Sequence, residues 1–184
     1  MYENIYIETD RLEIRNFRKN DIEILQRIVN DEEIMKYVPF TEARSLDECN
    51  ELMERIIRRY SEGTKDCFKG FLLLAISRET GEPVGFAGLY PATYDITQNE
   101  LFYGVFDNFR GKGYAIEIGK AVIAFGFSRV GTNRIIATID ESNSISRSIV
   151  EKMGMQFESI IEDETAKDSS YEGELLYSIA SDGC

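Results

Sequence analysis

A chain of 184 residues with 43% hydrophobic and 29% charged side chains is long enough for one domain with a substantial core and too apolar to stay disordered. Its net charge of −12 argues against a nucleic-acid partner, whose phosphates need a basic surface, and no apolar run approaches the ~20 residues that cross a bilayer. Histidine is absent, which excludes Ser-His and Cys-His catalysis and the commonest zinc ligand, and the cysteines, three and widely spaced, show no disulfide or metal pattern, so no metal is expected.

The chain opens Met1-Tyr-Glu-Asn-Ile-Tyr6 without the basic region and apolar core of a signal peptide, so a cytoplasmic location is expected. Thr9-Asp-Arg-Leu12-Glu-Ile14-Arg-Asn-Phe17 alternates polar and apolar residues and reads as a half-buried strand. Asn20-Asp21 offers a helix cap before Ile22, Leu25, Ile28 and Val29, and Pro39 ends any continuation. Ser45 and Glu48 form a capping box for a helix that buries Leu52, Met53, Ile56 and Ile57 and closes at Gly63. Arg55, Arg58 and Arg59 read as its solvated face.

Phe71 to Ser77 is a continuous apolar run, as in a strand buried on both faces, and Pro83 to Tyr90 pairs with it as an antiparallel hairpin. Gly85 and Gly88 weaken that second strand unless backbone or ligand approaches closely. A strand then runs from Gln98 toward Asp107-Asn108 and meets Gly111-Lys112-Gly113 at the start of a helix from Tyr114 to Val130. A strand, a glycine turn and a helix N-terminus make an anion site, because free N–H groups and the positive end of the helix dipole converge there. Arg110 and Lys112 add local positive charge.

Several phosphate-binding patterns compete for this loop. A Walker A loop fails because Gly113 follows Lys112 and Phe106 stands at the first glycine position. A dinucleotide fingerprint fails because Ile116 stands where its third glycine belongs. What remains is Arg110-x-x-Gly113-x-Ala115, against the plainer reading of a glycine turn capping an ordinary helix. Arg134 to Ile139 is another buried strand, Ser144 to Met153 a helix closed by Gly154, and 155–161 and 174–179 the last strands, with a charged loop from Glu162 to Ser170 between them. The order β-α-α-β-β-β-α-β-α-β-β implies one α/β (α+β) domain over residues 1–184, a mixed, mostly antiparallel sheet with helices on both faces.

The loop Arg110-x-x-Gly113-x-Ala115 resembles the (Arg/Gln)-x-x-Gly-x-(Gly/Ala) signature by which the GNAT N-acetyltransferases grip the pyrophosphate of acetyl-CoA. Asn143-Ser-Ile-Ser146-Arg-Ser-Ile-Val-Glu151-Lys152-Met-Gly154 is similar to a second block of that family. Thr9-x-Arg11-Leu12-x-Ile14-Arg15 is similar to the opening of its subgroup acting on ribosomal-protein N-termini, the RimJ/RimL-like enzymes. The resemblance implies an acetyl-CoA-dependent N-acetyltransferase, with acetyl-CoA as cosubstrate and a primary amine, on a protein N-terminus or a small molecule, as acceptor. The alternative is a non-catalytic acyl-CoA-binding module that reports CoA status to a partner.

Such transfer needs a group to take the proton of the amine and donors for the negative charge growing on the carbonyl oxygen. The resemblance points to Glu100 as the base, acting through water, against the plainer reading of a solvent-facing strand-end glutamate, with Asp140 and Glu141 as lesser candidates. It implies CoA contacts at Val105, Phe106, Arg110, Gly111, Lys112, Gly113, Tyr114, Ala115 and Asn143. Backbone N–H groups near Val105 or Phe106 are the expected oxyanion donors, provided their strand splays from its neighbour. Val150 stands where the family commonly has a tyrosine for the leaving thiolate, and Ser146 is the replacement that the resemblance implies. A helix-start serine bonding the backbone, and an Asn143 that only caps, are the structural alternatives. Tyr37, Phe40, Tyr90 and Tyr94 are candidates to line an acceptor pocket, against ordinary packing as the plainer reading.

Overall fold

A computed structural model describes residues 2–38, 43, 45–64, 67–93, 95–162 and 171–181; Pro39, Phe40, Tyr94, Cys184 and residues 163–170, where a charged loop is expected, lie outside the described residues. The strand expected at Thr9–Phe17 is preceded by a shorter one, and the two make a hairpin. β1 (Tyr6–Glu8) pairs antiparallel with β2 (Leu12–Asn16), and Thr9 closes the turn by donating its N–H to Leu12 O at 2.9 Å. β2 buries alternate residues, Leu12, Ile14 and Asn16.

A 3-10 turn at Lys19–Asp21 leads into α1 (Ile22–Val29). Asp21 does not cap α1 through its side chain. Its carboxylate instead accepts from both terminal nitrogens of Arg15, at 2.7 and 2.9 Å, and from Arg18 N–H at 2.7 Å. Burial pushes this carboxyl up, but the hydrogen bonds and charges of Arg15 and Arg18 outweigh it and hold the group below its ordinary range. A short α2 (Glu32–Met35) is capped by Asp31, whose Oδ1 accepts from Ile34 N–H at 3.1 Å.

α3 (Leu46–Glu62) starts on the expected reciprocal cap, with Ser45 N–H donating to Glu48 at 2.9 Å and Glu48 N–H to Ser45 Oγ at 3.3 Å. It buries Leu52, Met53 and Ile56, and also Tyr60. The Tyr60 hydroxyl donates to Leu72 O at 2.6 Å and accepts from Phe17 N–H at 2.9 Å, which ties the helix to the sheet.

β3 (Phe71–Ser77), β4 (Pro83–Pro91) and β5 (Asn99–Val105) form an antiparallel meander. Gly88 answers to close approach: a Cβ there would stand 2.3 Å from the Phe102 ring. α4 (Tyr114–Phe125) continues as a π-helical turn over Gly126–Val130, so the expected helix keeps its span but not its regularity. β6 (Arg134–Ile139), α5 (Ser144–Met153), β7 (Gln156–Ile160) and β8 (Leu175–Ala180) complete the described chain.

The sheet has eight strands in the order β1-β2-β3-β4-β5-β6-β8-β7, antiparallel throughout except for β5–β6. One face meets α1, α2 and α3, through contacts such as Ile34 with Gly104 and Arg59 with Tyr90. The other carries α4 and α5, through Phe125 on Phe71 and Tyr103 on Ser146. The core is one continuous cluster running from Leu12 and Ile14 through β3 and β4 to Ile135, Val150 and Tyr177. Among the described residues no helix is long and apolar enough to cross a membrane.

Candidate active site

β5 and β6 are paired over only part of their length. The ladder holds at Asn99↔Ile135 and Glu100↔Ile136 and then stops, although β5 runs on to Val105 and β6 to Ile139. β4–β5 pairing continues without a register shift from Pro91↔Asn99 to Gly85↔Val105, so the strands part without a bulge in that ladder.

The direction of the freed backbone groups follows from antiparallel geometry. Phe106 N–H donates to Val84 O at 3.0 Å, so Glu100, Phe102, Gly104 and Phe106 turn their polar backbone atoms toward β4. Those of Leu101, Tyr103 and Val105 face β6, and beyond Glu100 they open into the gap. This corrects one expectation: Phe106 N–H is engaged in the sheet and cannot serve an oxyanion. The Phe106 ring is buried, with the Arg27 guanidinium 3.9 Å from its centroid. Val105 N–H faces the gap, and Tyr103 N–H, missed in the sequence, does so closer to Glu100.

Glu100 occupies the point of parting. Its Oε1 accepts from the Thr138 hydroxyl at 2.5 Å and from Thr138 N–H at 3.3 Å, so the carboxylate substitutes for the ladder bonds that β5 no longer offers β6. Burial pushes this carboxyl above its ordinary range, the Thr138 bonds oppose the shift, and the charge of Glu174 adds to it. Glu174, just before β8, is likewise raised, mainly by burial, with a hydrogen bond to Thr138 working against it. Asp140 differs. Its Oδ1 accepts from Ser142 N–H at 2.8 Å and from the Ser142 hydroxyl, which lowers its pKa and leaves it a poor base. Glu141 is exposed. Of the aromatic residues proposed for an acceptor pocket, Tyr90 stacks on Phe102 at 5.4 Å beneath Arg59, and Tyr37 hydrogen-bonds to Lys36 and Ser142, which lowers its pKa.

The loop from β5 to α4 has the backbone geometry that an anion cradle requires. After a 3-10 turn at Asp107–Phe109, Gly111 and Gly113 take φ values of +73° and +80°. Gly113 sits at the N-cap of α4 without a side-chain cap, and among the described residues the N–H groups from Gly111 to Ala115 have no well-aligned backbone acceptor. The positive φ by itself calls for glycine at 113.

The positive charge of the loop is compensated rather than free. Arg110 is ion-paired with Asp107 at 2.5 Å, stands 3.9 Å from Asp31, and donates its Nε–H to Val105 O at 3.0 Å. Lys112 donates from Nζ to Asn108 O at 2.8 Å. Tyr114 packs edge-on to Phe109, and Ala115 follows it, half-buried, in the first turn of α4.

Arg11 and Glu117 fasten this loop to the β1–β2 turn, and sequence reasoning gave neither a role. Glu117 accepts from the Thr9 hydroxyl at 2.6 Å, from Arg11 N–H at 3.0 Å and from Arg11 Nε at 2.7 Å. Arg11 also donates to Lys112 O at 2.9 Å and lies 4.3 Å over the Tyr114 ring. Thr9-x-Arg11 is thus the part that meets α4.

On the opposite face of β5 the Tyr103 hydroxyl reaches the first turn of α5, donating to Ser146 O at 3.4 Å. Asn143 caps α5, its Oδ1 accepting from Ser146 N–H at 3.0 Å. Val150 is fully buried and offers nothing polar. Glu100 and Ser146 therefore stand on opposite sides of the sheet, with the gap between them. Among the described residues no group of three or more His, Cys, Asp or Glu could hold a metal ion.

A profile described as Acetyltransferase (GNAT) domain matches residues 11–156. The chain is 29% identical over 178 residues to the Uncharacterized N-acetyltransferase YnaD of Bacillus subtilis (strain 168), covering 95% of this chain and 96% of that protein. Its fold is similar to Mycobacterium smegmatis RimJ in complex with CoA-disulfide, with TM-score 0.75 at 18% identity over 92% of this chain and 82% of that one. It is also similar to spermidine N-acetyltransferase from Vibrio cholerae in complex with CoA and spermine, with TM-score 0.74 at 18% identity over 94% and 96% of the two chains. The parted sheet with its N–H-lined loop is that of an acyltransferase. The chain belongs to the GNAT acetyltransferase family.

Proposed function

We propose that this chain is one N-acetyltransferase domain that moves the acetyl group of acetyl-CoA directly to a primary amine while both are bound, in the cytoplasm. The observation that carries the reading is Glu100, lodged by Thr138 where β5 and β6 part. The cradle fits a diphosphate: among the described residues the N–H groups from Gly111 to Ala115 have no well-aligned backbone acceptor, and Arg110 and Lys112 flank them. CoA supplies the acetyl group activated as a thioester. Arg110 must exchange Asp107 for phosphate on binding, which separates a pre-formed backbone cradle from a side chain that reorients.

Tyr103 N–H and Val105 N–H are the donors for charge developing on the carbonyl oxygen. Tyr103 is the better placed, three residues or about 10 Å from Glu100 along the strand, whereas Val105 is about 17 Å away. The Glu100 side chain leans toward Thr138 and shortens the first distance further. An amine entering on the α1–α3 side gives its proton to Glu100 through water; the raised pKa suits a base that must also release that proton. Asn143 and Ser146 flank the CoA side.

Carboxylates at Glu100 and Glu174 favour a cationic acceptor, and the spermine complex of a structural neighbour supports a polyamine-like molecule beside the peptide α-amine. The test is a thiol-release screen with peptides, diamines and their hydroxyl analogues. Release with amines is expected, with kcat/KM for cationic amines falling as salt rises, since the exposed carboxylates of this acidic chain steer the acceptor and are screened over ~8 Å at physiological ionic strength. Turnover with alcohols alone contradicts the reading.

A further inference from the structure

We infer that the Tyr103 hydroxyl is the hydrogen-bond donor to the sulfur of the departing CoA, a role resting on the acetyltransferase reading above. Alternation along β5 sends Glu100 and Phe102 to the face covered by α1–α3, and Tyr103 to the face covered by α4 and α5. Tyr103 also lies beyond the last β5–β6 pair, so its side chain stands beside the opened cleft and not behind a closed ladder. Backbone and side chain of one residue thereby serve two atoms of the same thioester: the N–H the carbonyl oxygen, the hydroxyl the sulfur.

The hydroxyl is engaged by Ser146, through that residue's side chain as well as its carbonyl. Its bond to Ser146 O is 3.4 Å long, against about 2.7–2.8 Å for a well-made O–H···O contact. That carbonyl belongs to a helix, so the phenol can turn to a better acceptor without stranding it. Val150 cannot replace it, being apolar and fully buried. Ser146 is the other hydroxyl nearby, on the turn whose N–H Asn143 caps.

Burial pushes the Tyr103 phenol up to about 12, hydrogen bonding at Ser146 opposing it, so the group stays protonated at any working pH. A thiol titrates near ~8.5, well below that, and the phenol therefore keeps its proton and stabilises thiolate as a donor. The step balances without a further reactant. The amine, its ammonium proton already lost to solvent, forms the C–N bond as the C–S bond breaks; the proton then shed by nitrogen passes to Glu100 through water, and the electron pair leaves on sulfur. The thiolate remains hydrogen-bonded to Tyr103 until solvent protonates it.

The test needs no acceptor and no turnover. Free CoA bound to the parent protein, to Tyr103→Phe and to Ser146→Ala is titrated with pH while thiolate absorbance is followed in the ultraviolet. CoA and desulfo-CoA affinities are measured by calorimetry at low pH, where the thiol is neutral. The bound thiol is expected to titrate below the ~8.5 of a free thiol in the parent and to move up by about one unit, tenfold in thiolate population, in Tyr103→Phe. Low-pH affinities should be unchanged. Identical titrations of parent and Tyr103→Phe overturn the assignment, as does a shift confined to Ser146→Ala. If Tyr103→Phe weakens CoA and desulfo-CoA alike with no change in titration, the phenol is a packing group holding α5, and the inference falls while the CoA site stands. Absence of binding heat with the parent would remove the CoA site itself, and this role with it.

Discussion

Replacing Arg11 by methionine should loosen the CoA loop while leaving the fold intact. The methionine keeps most of the aliphatic stem but removes the guanidinium from Glu117, Lys112 O and the Tyr114 ring. The ion pair is partly exposed, with side-chain accessibilities of 45% and 17%, and such pairs are worth ~0–1 kcal/mol. The bond to Lys112 O adds ~0.5–1.5 kcal/mol and the stack on Tyr114 ~0.5–1 kcal/mol. One guanidinium makes all of these contacts, so they do not add in full, and about 1–2 kcal/mol is the working figure. Lys112 lies between two glycines at positive φ, where the loop has most conformational freedom to lose. If Arg11 acts by ordering that loop, CoA affinity falls about 5–30-fold. Calorimetry with CoA, beside urea denaturation, reads both quantities. Arg11→Lys should not rescue, because an ammonium cannot span carboxylate, carbonyl and ring together. Unchanged CoA affinity in Arg11→Met would refute the ordering role.

Asp21→Ala leaves Arg15 with 11% side-chain exposure and no counter-ion, and should cost about 3 kcal/mol in urea denaturation. Because the folded-state carboxyl is held below its unfolded value of about 3.9, that contribution is present above this pH and disappears as pH falls through the lower folded pKa; a gap between parent and variant that persists in strong acid counts against the ion pair. Gly113→Ala meets no clash, its nearest atom being Arg11 Nη2 at 3.6 Å, so the cost is the left-handed backbone, ~1–2 kcal/mol. Gly81→Ala, at φ +73° in the β3–β4 turn, should lose similar stability without touching CoA affinity, whereas Gly113→Ala should lose both; equal CoA affinities in the two variants would detach the loop from the site.

What the sequence made legible is local. The Ser45–Glu48 cap, the doubly buried run at Phe71–Ser77, the helix after Gly113 and the stop at Gly154 each depend on residues within a few positions of one another. β1 was hidden because it is only three residues long, too short for its exposed, half-buried, exposed alternation to register as a period-2 pattern. The parting of β5 from β6 depends on register between strands joined through α4, and composition carries no trace of it. The Arg11–Glu117 clamp joins residues 106 positions apart, so the sequence shows Arg11 within the Thr9-x-Arg11-Leu12 opening but not what it holds. Phe106 shows how a near miss arises: the right end of the right strand is visible, but which N–H faces the gap depends on pairing with Val84. Tyr103 was passed over for the same reason, since strand alternation says only that it opposes Glu100 and not which helix it meets.

The most direct test is the pH dependence of kcat/KM for acetyl transfer to an amine, measured on the parent and on Glu100→Gln. Glutamine keeps a carbonyl oxygen for both Thr138 bonds, so the fold and CoA affinity should hold. The parent profile should show an acidic limb with an apparent pKa above the ordinary ~4.3 of a glutamate, activity rising as Glu100 loses its proton. The variant should lose that limb and fall by ~10²–10⁴ at neutral pH, recovering toward the pKa of the amine. A variant that keeps both the limb and the neutral-pH rate would contradict the assignment of Glu100 as the base at the parting of β5 and β6.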